Sequence, residues 1–190
     1  MPAAEELSVP RPSGSCEPEA SKAIVVAAMG RIGIICPMTI DEIDRRIVHE
    51  LQLNARVTNQ ELADKVGLSP SPCLRRVRRL EEAGVVSGYT AIVDQASVGL
   101  PITAFVHITL QQHRQDTVDA AEKHIRSIPN VIEAHNLAGD QDYLLKVVTE
   151  SFSDYEKVVR TQLRSIPSLA SIQTTFAYGV AKPHSALPIG

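Results

Sequence analysis

The sequence predicts an α+β protein in which a helical N-terminal domain precedes a domain of alternating strands and helices. Between residues 39 and 89, apolar side chains recur at helical spacing. Beyond Gly99 they form short runs rich in β-branched residues, separated by helical stretches. The tetrapeptide RSIP also occurs twice, at residues 126–129 and 164–167, each time between a helical stretch and an apolar run. We therefore expect two domains, the second with an internal repeat.

The overall composition excludes a general polycation. The chain of 190 residues carries a net charge of −3, with 44% apolar and 22% charged residues, as is ordinary for a globular protein. Any binding of nucleic acid must therefore come from a local patch. Cys16, Cys36 and Cys73 are widely spaced, and no Cys/His pair has metal-ligand spacing. We expect no disulfide framework, no metal and no cofactor.

Residues 1–37 differ from the rest of the chain. An acidic, proline-rich lead precedes an apolar stretch at residues 23–36, which Arg31 interrupts. The stretch is shorter than the roughly 20 residues of a membrane-spanning helix, and no clear signal-peptide cleavage site follows it. We expect a poorly ordered extension here. Met38 is a candidate for the natural start of the chain, which the intact mass of the native protein would test.

Capping signals mark the first two helices. Thr39 followed by Glu42, and Thr58 followed by Glu61, fit the capping box, in which two side chains bond free N–H groups of the first turn. The second box opens a short helix that Gly67 ends. The first precedes an apolar stripe at helical spacing, formed by Ile40, Ile43, Ile47 and Leu51.

A third helix, rich in arginine, follows after a tight turn. Ser69 is a good N-cap, and Pro70 suits the first helical position because its missing N–H would have no partner there. We expect this helix to reach about Ala83, with Gly84 as its stop.

The chain then looks extended, from Val85 to Val93. We interpret residues 38–88 as a helix-turn-helix domain with a possible wing, and residues 89–100 as a linker strand.

The third helix has two different faces. At about 100° per residue, Cys73, Val77 and Leu80 share the face that would pack on the first two helices. Arg76 borders this face, so we expect it to reach sideways to a phosphate or to an acidic neighbour. The opposite face carries Ser71, Arg75, Arg78 and Arg79.

This arginine face predicts DNA binding. A helix about 10–12 Å across fits a major groove about 12 Å wide, where guanidinium groups bind guanine edges or phosphates. The positive end of the helix dipole also lies at its N-terminus. The DNA-binding candidates are Ser69, Ser71, Arg75, Arg76, Arg78 and Arg79. The alternative is a solvated helix laced with Arg–Glu pairs such as Arg78–Glu82.

Residues 101–190 predict one domain with the order βαββαβ. In this order, each RSIP copy ends a helix and precedes a strand, so two β-α-β units follow one another as in the split βαβ or ferredoxin-like arrangement. The expected strands are residues 102–110, 131–137, 143–150 and 169–178, and the expected helices are residues 116–128 and 152–166.

The chain resembles a known family of regulators. The stretch GLSPSPCLRRVRRLEEAGVVSGY, the Asp41/Asp44 start of the first helix and the motif GDQDYLL are similar to those of the leucine-responsive regulatory protein/asparagine-synthase regulator (Lrp/AsnC) family. The resemblance runs from about Thr39 to Lys182. It implies a prokaryotic, cytoplasmic and nucleoid-associated transcription regulator of amino-acid metabolism, with a C-terminal ACT-like domain and no enzymatic activity.

The resemblance also implies partners. Members bind double-stranded DNA, form homodimers through their C-terminal sheets and often assemble further, commonly into octamers. A free amino acid binds between C-terminal domains where dimers meet. The effector-binding candidates are Gly139, Asp140, Asp142, Tyr143 and Thr175. An aspartate could accept from the ammonium group, and exposed amides of the Gly/Asp turn could donate to the carboxylate.

Three alternatives stay open. The GDQD segment could be only a polar hairpin turn. The protein could be an architectural DNA-binding protein of the nucleoid without a dedicated effector. The C-terminal half also resembles ligand-sensing modules attached to amino-acid enzymes, although the sequence contains no nucleophile–base pair, metal cluster or phosphate loop.

Overall fold

The computed structural model describes residues 39–189, so the predictions for residues 1–37 and for Met38 lie outside the described part. Contacts divide the chain into two compact units, with the boundary between Ser87 and Gly88. We keep 38–88 and 101–190 as proposed domain limits, and this boundary falls close to the end of the first. None of the helices in the described range is long and apolar enough to cross a membrane.

The N-terminal domain has the predicted helix-turn-helix order. Its helices are α1 (Glu42–Leu53), α2 (Asn59–Val66) and α3 (Pro70–Glu82). Gly67 ends α2 with φ 73°, a left-handed conformation that strains any residue with a Cβ. Its N–H bonds the carbonyls of the last turn of α2. This Gly cap makes the short connection to α3 possible.

The capping box predicted for α1 is wrong by two residues, whereas the one predicted for α2 is confirmed. The N-cap of α1 is Asp41: its Oδ1 accepts from the Asp44 N–H at 2.8 Å, and Asp44 Oδ2 accepts from the Asp41 N–H at 3.2 Å. An N-cap aspartate ranks above threonine, so the helix starts after Asp41 rather than after Thr39. The box of Thr58 and Glu61 forms as expected.

One apolar cluster holds the three helices together. Its fully buried members include Ile47 of α1, Ala63 of α2, and Cys73 and Leu80 of α3. Val77 is partly buried against the same cluster, so the predicted underside of α3 is confirmed. Full burial of an aliphatic side chain contributes about 1.5–3 kcal/mol. This packing fixes the rotation of α3 and therefore decides which of its residues face outward.

The linker strand predicted for residues 89–100 is wrong, because no β-strand forms between residues 83 and 101. After Gly84, the N–H groups of Val85 and Val86 turn back to the Leu80 carbonyl, at 2.9 and 3.1 Å. A strand needs a neighbour to accept its main-chain hydrogen bonds, and none of the described strands pairs with this segment. The possible wing therefore has no strand within the described residues.

The C-terminal domain has the predicted βαββαβ order. Four antiparallel strands form one sheet in the order β2-β3-β1-β4, which is the ferredoxin-like arrangement. The strands are β1 (Ile102–Leu110), β2 (Val131–Asn136), β3 (Tyr143–Thr149) and β4 (Leu169–Ala177), and the helices are α4 (Gln115–Ser127) and α5 (Phe152–Thr161).

The two helices end differently at the two RSIP copies. The first copy ends α4, whereas the second begins within a separate 3-10 turn, Leu163–Ser165, which forms after Gln162 departs from helical geometry. The helix predicted to reach residue 166 is therefore too long. The isoleucine of each copy, Ile128 or Ile166, is buried in the same core. The repeat thus marks equivalent points at which the chain passes from a helix to a strand.

The sheet has two unlike faces. Alternate residues of β1, such as Val106 and Ile108, are fully buried in the core that also contains residues of α4 and α5. The residues between them, Phe105 and His107, lie on the other face and are only partly buried. That open face is not covered by any described helix.

Core packing on the covered face gives a stability prediction. Leu145 of β3 is fully buried, so Leu145→Ala should lower the free energy of unfolding by about 2–5 kcal/mol through lost contacts and a residual cavity. Ile132, on edge strand β2, is about half exposed, and Ile132→Ala should cost clearly less. Chemical denaturation of the two variants checks the difference. Equal losses would contradict the described orientation of the sheet.

Candidate nucleic-acid interface and effector region

The outward side of α3 carries the predicted polar residues. Ser71, Arg75 and Arg78 are exposed, and within residues 39–189 neither arginine forms an ion pair. Ser69 is the N-cap of α3, as expected, but its side chain makes no capping hydrogen bond. This face therefore presents two unpaired guanidinium groups and two serines near a helix N-terminus.

The other two arginines of α3 bind acidic residues of α1. Arg76 Nη1 lies 2.8 Å from Asp44 Oδ1 and 2.6 Å from Asp41 Oδ2. Arg79 Nη2 bonds Asp44 Oδ2, although about half of the Arg79 side chain is exposed. The expectation that Arg76 reaches an acidic neighbour is confirmed. Contact of Arg76 and Arg79 with DNA stays a prediction, and the structure gives both an intramolecular partner.

Asp44 is the centre of this cluster. Its side chain is fully buried, yet it accepts from the Asp41 N–H and from both guanidinium groups. A buried carboxylate is costly unless it is paired and hydrogen-bonded, and here both oxygens have donors. Since Asp44 belongs to the capping box of α1, the same carboxylate fixes the start of α1 and the position of α3.

The network also affects ionisation. The Asp44 backbone N–H and, after it, the Arg76 guanidinium lower the pKa of Asp41 from its usual 3.8. The bonds to Asp41 and Asp44 raise the pKa of Arg76. A carboxyl whose pKa is lower in the folded chain than in the unfolded chain stabilises the fold at pH values above its unfolded pKa. This contribution is lost as the pH falls from about 3.8 through the lower pKa of folded Asp41.

The Gly/Asp turn between β2 and β3 is closed by Asp142. The Asp142 carbonyl accepts from the Leu137 N–H at 2.8 Å. Its carboxylate accepts from the Leu110 N–H at 2.7 Å and lies 2.8 Å from His113 Nε2. Asp142 thus already holds the turn against the end of β1. Gly139 and Asp140 are exposed at the tip of the turn.

The five predicted effector residues do not share one face of the sheet. Tyr143 is buried on the helix side, with the core residues of β3. Thr175 is exposed opposite Phe105, on the open side. The turn approaches the open side, because Gln141 Nε2 lies 3.2 Å from Oε1 of Gln173 on β4. Thr174, the neighbour of Thr175, points to the helix side and bonds the Tyr155 hydroxyl at 2.5 Å.

Comparisons with known proteins agree with this geometry. Residues 40–87 match the family described as winged helix-turn-helix DNA-binding, and residues 103–187 match the Lrp/AsnC ligand binding domain. The leucine-responsive regulatory protein of Escherichia coli (strain K12) is 37% identical over 79% of this chain and 92% of its own length. The transcriptional regulator AzlB of Bacillus subtilis (strain 168) is 33% identical over 79% of this chain and 96% of its own length.

The chain belongs to the Lrp/AsnC family. Solved structures of this family have the same fold. A transcriptional regulator of Neisseria meningitidis in complex with L-Met aligns with a TM-score of 0.75 and 34% identity over 80% of this chain and 97% of that chain. AsnC of E. coli aligns with a TM-score of 0.71 and 26% identity over 78% of this chain and 98% of that chain.

Membership of the Lrp/AsnC family gives each domain its general task. The N-terminal domain is of the DNA-binding type, and the C-terminal domain is of the ligand-binding type. The relatives are regulators of transcription rather than enzymes. No group of metal-binding side chains occurs among residues 39–189.

Sequence reasoning missed the central role of Asp44. The available signal was the acidic start of α1 opposite an arginine-rich helix. The position of Arg79 around the helix axis placed it on the outer face, but that position fixes only the direction of the Cβ atom and not the end of the side chain. A long guanidinium side chain can bend from there to a buried acceptor.

The cluster gives a prediction about the N-terminal domain. Asp44→Asn keeps the side-chain shape but removes the charge that both arginines share, so the free energy of unfolding should fall by about 1–3 kcal/mol. DNA affinity should fall as well, because α3 loses its anchor on α1. Asp64→Asn is the matched control, since Asp64 is exposed on α2 and should change stability by less than about 0.5 kcal/mol. Thermal unfolding and gel shifts measure both effects. Wild-type values for Asp44→Asn would remove Asp44 from this role.

Proposed function

We propose that this protein is a sequence-specific transcription regulator of amino-acid metabolism whose assembly or DNA affinity responds to a free amino acid. The observation that carries the proposal is the outward face of α3, where Arg75 and Arg78 are exposed and unpaired within residues 39–189. Family membership supports DNA binding, and the L-Met complex of the Neisseria relative supports an amino acid as the ligand class.

In this proposal α3 enters the major groove of double-stranded DNA. Arg75 and Arg78 contact base edges or phosphates, and Ser69 and Ser71 donate to phosphates near the helix N-terminus. Arg76 and Arg79 are held by Asp44, so they mainly orient α3. The half-exposed Arg79 retains N–H groups for a phosphate.

The effector is proposed to bind at the Gly/Asp turn, between C-terminal domains. Asp140, exposed at its tip, is the better acceptor for an ammonium group, because the Asp142 carboxylate already holds the end of β1. Backbone N–H groups around Gly139 would donate to the ligand carboxylate. Thr175 on the open face adds a hydroxyl for the ligand. Tyr143, the remaining candidate, is proposed to contact the ligand from the helix side of the sheet.

Assembly completes the proposed function. The open face of the sheet, with Phe105 and His107 at its centre, is the surface on which we propose that two copies form a homodimer. Dimers would place two α3 helices in successive major grooves and could join further, as in an octamer. A cytoplasmic, nucleoid-associated location in a prokaryote follows from this function. Effector and DNA would then affect each other's affinity by the same factor.

The DNA-binding part predicts a specific loss of affinity. Arg75→Gln and Arg78→Gln should each weaken binding to genomic fragments selected by the wild-type protein by about 1–3 kcal/mol if the side chain contacts a base. Arg164→Gln makes the same charge change on the exposed second RSIP copy and should leave affinity unchanged. Gel shifts at fixed salt measure the affinities, and footprints show whether a preferred site exists. Unchanged affinity of both α3 variants would contradict the groove position. A footprint without a preferred site would favour the architectural alternative.

The effector part predicts a separable phenotype. An added Cβ at Gly139 meets no atom within 4 Å, so Gly139→Thr should leave the fold and DNA binding intact while it obstructs the turn. Gly179→Thr, at an equally open glycine outside the turn, is the control. Light scattering and gel shifts with and without each amino acid should show that only Gly139→Thr loses the response. A wild-type response of this variant would remove the turn from the effector site.

A further inference from the structure

Asn59 joins the starts of the two helices of the helix-turn-helix. It is the first residue of α2, and its Nδ2 donates to the carbonyl of Pro70, the first residue of α3, at 2.9 Å. The two residues are 11 positions apart in the chain, so this bond is a tertiary contact rather than a helix cap. It ties the first turn of α3 to the first turn of α2.

The apolar core gives the first turn of α3 little support. The buried residues of α3 are Cys73 and Leu80, so the apolar cluster begins only after this turn. Pro70 and Ser71 are exposed. Apolar packing therefore fixes the rotation of α3 at its middle, but it leaves the position of the first turn to polar contacts.

The usual cap does not form at this helix start. A serine N-cap accepts from the backbone N–H of the second or third helical residue. In α3 the third residue is Pro72, which has no N–H, and the side chain of Ser69 makes no capping bond. Between Ser69 and Cys73, only Ser71 has a backbone N–H. The Asn59 amide thus supplies a side-chain bond to this turn where the cap supplies none.

The Asn59 amide keeps this orientation at a cost to stability. Its Oδ1 is buried and has no hydrogen-bond partner among residues 39–189. An unpaired buried acceptor is unfavourable, and an apolar side chain of the same shape would remove it. The reversed amide would place its oxygen against the Pro70 carbonyl, so only the observed orientation gives a bond. Stability alone therefore does not explain an asparagine at this position, whereas a role in function does.

We propose that Asn59 is a positioning residue for DNA recognition by α3. By holding the Pro70 carbonyl, it sets the place of Ser71 against a phosphate and of Arg75, one turn further on the same face, against base edges. This inference rests on the proposed groove position of α3. Asn59 acts through α3 and does not itself contact DNA.

The two kinds of DNA contact respond differently to a displaced first turn. Phosphate contacts fix the register of a protein on the duplex, and base contacts then specify the sequence. Hydrogen bonds to base edges weaken steeply with a change of angle or distance, whereas the attraction of guanidinium groups to phosphates falls off more slowly. Loss of the Asn59 bond should therefore reduce affinity for preferred sites far more than affinity for arbitrary sequence. A residue that only stabilises the fold has no such selective effect.

Asn59→Leu in the full chain is the first test, because leucine has a similar shape without the donor or the buried acceptor. Its affinity for genomic fragments selected by the wild-type protein should fall about tenfold, whereas its affinity for random-sequence duplexes of equal length should change less than about twofold. Its thermal unfolding midpoint should not fall. Gel shifts at fixed salt and thermal unfolding measure these values.

Two further variants keep the test decisive if leucine disturbs the fold. Asn59→Gln keeps an N–H donor, and Asn59→Met has the same length as glutamine without one. Selectivity for the selected fragments should therefore be largely kept in the first and lost in the second. Asn54→Leu is the matched control in the same domain, because it removes a bond of equal length, from the Arg56 N–H to Asn54 Oδ1 at 2.9 Å. This control should keep the wild-type selectivity.

A double-mutant cycle with Arg75→Gln separates positioning from direct contact. If Asn59 acts by placing Arg75, Asn59→Leu should cost less than about threefold once the Arg75 guanidinium is absent, since contacts that depend on each other are not additive. An additive loss of the full size would mean that Asn59 contacts DNA by itself. That result would overturn the positioning role.

Other results would overturn the inference as well. These are wild-type selectivity in Asn59→Leu, an equal loss on selected and random fragments, and equal selectivity of Asn59→Gln and Asn59→Met. If Arg75→Gln and Arg78→Gln lose affinity while Asn59→Leu keeps it, only this inference fails. If all three variants bind as the wild-type protein does, the proposed groove position of α3 fails with it.

Discussion

The buried carboxylate of Asp44 is the interaction on which the N-terminal domain depends. It joins the first turn of α1 to two arginines of α3, although it is fully removed from solvent. Because an unpaired buried charge is very unfavourable, the two helices cannot shift independently without exposing or orphaning this group. The apolar cluster under α3 sets its rotation, and Asp44 ties its middle turns to α1. The arginine run therefore has two parts: Arg76 and Arg79 hold the helix, and Arg75 and Arg78 remain available.

A different constraint shapes the C-terminal domain. Its sheet is covered by helices on one face only, so the open face and the Gly/Asp turn stay accessible to partners. The proposed effector residues lie on both sides of this sheet, with Thr175 on the open face and Tyr143 on the helix side. An amino acid at the turn would change contacts of the turn and of the edge strand rather than of the core. Such peripheral contacts are the ones that a second copy of the chain could share.

Much of the fold followed from local patterns. Apolar spacing located α1 to α3, and the Thr58 and Gly67 signals gave the limits of α2 because capping is a local interaction. The RSIP repeat gave the order βαββαβ, since each copy places an isoleucine in the core where a helix meets a strand. The Thr39 cap was wrong because several nearby residues could start α1, and the choice depends on which of them also bonds α3. The linker strand at residues 89–100 was wrong because an extended sequence becomes a strand only beside a partner.

The sequence by itself determined the family, the helix-turn-helix, the strand order and the apolar underside of α3. These depend on residue periodicity, on short-range hydrogen bonds and on motifs that are contiguous in the chain. Only the tertiary structure decided that Asp44 binds Arg76 and Arg79, and that the Asp142 carboxylate accepts from the main chain at the end of β1. These contacts join residues far apart in the chain, and their existence depends on how elements pack and on the reach of long side chains. The periodicity of the sequence gives no information about the distances between such residues.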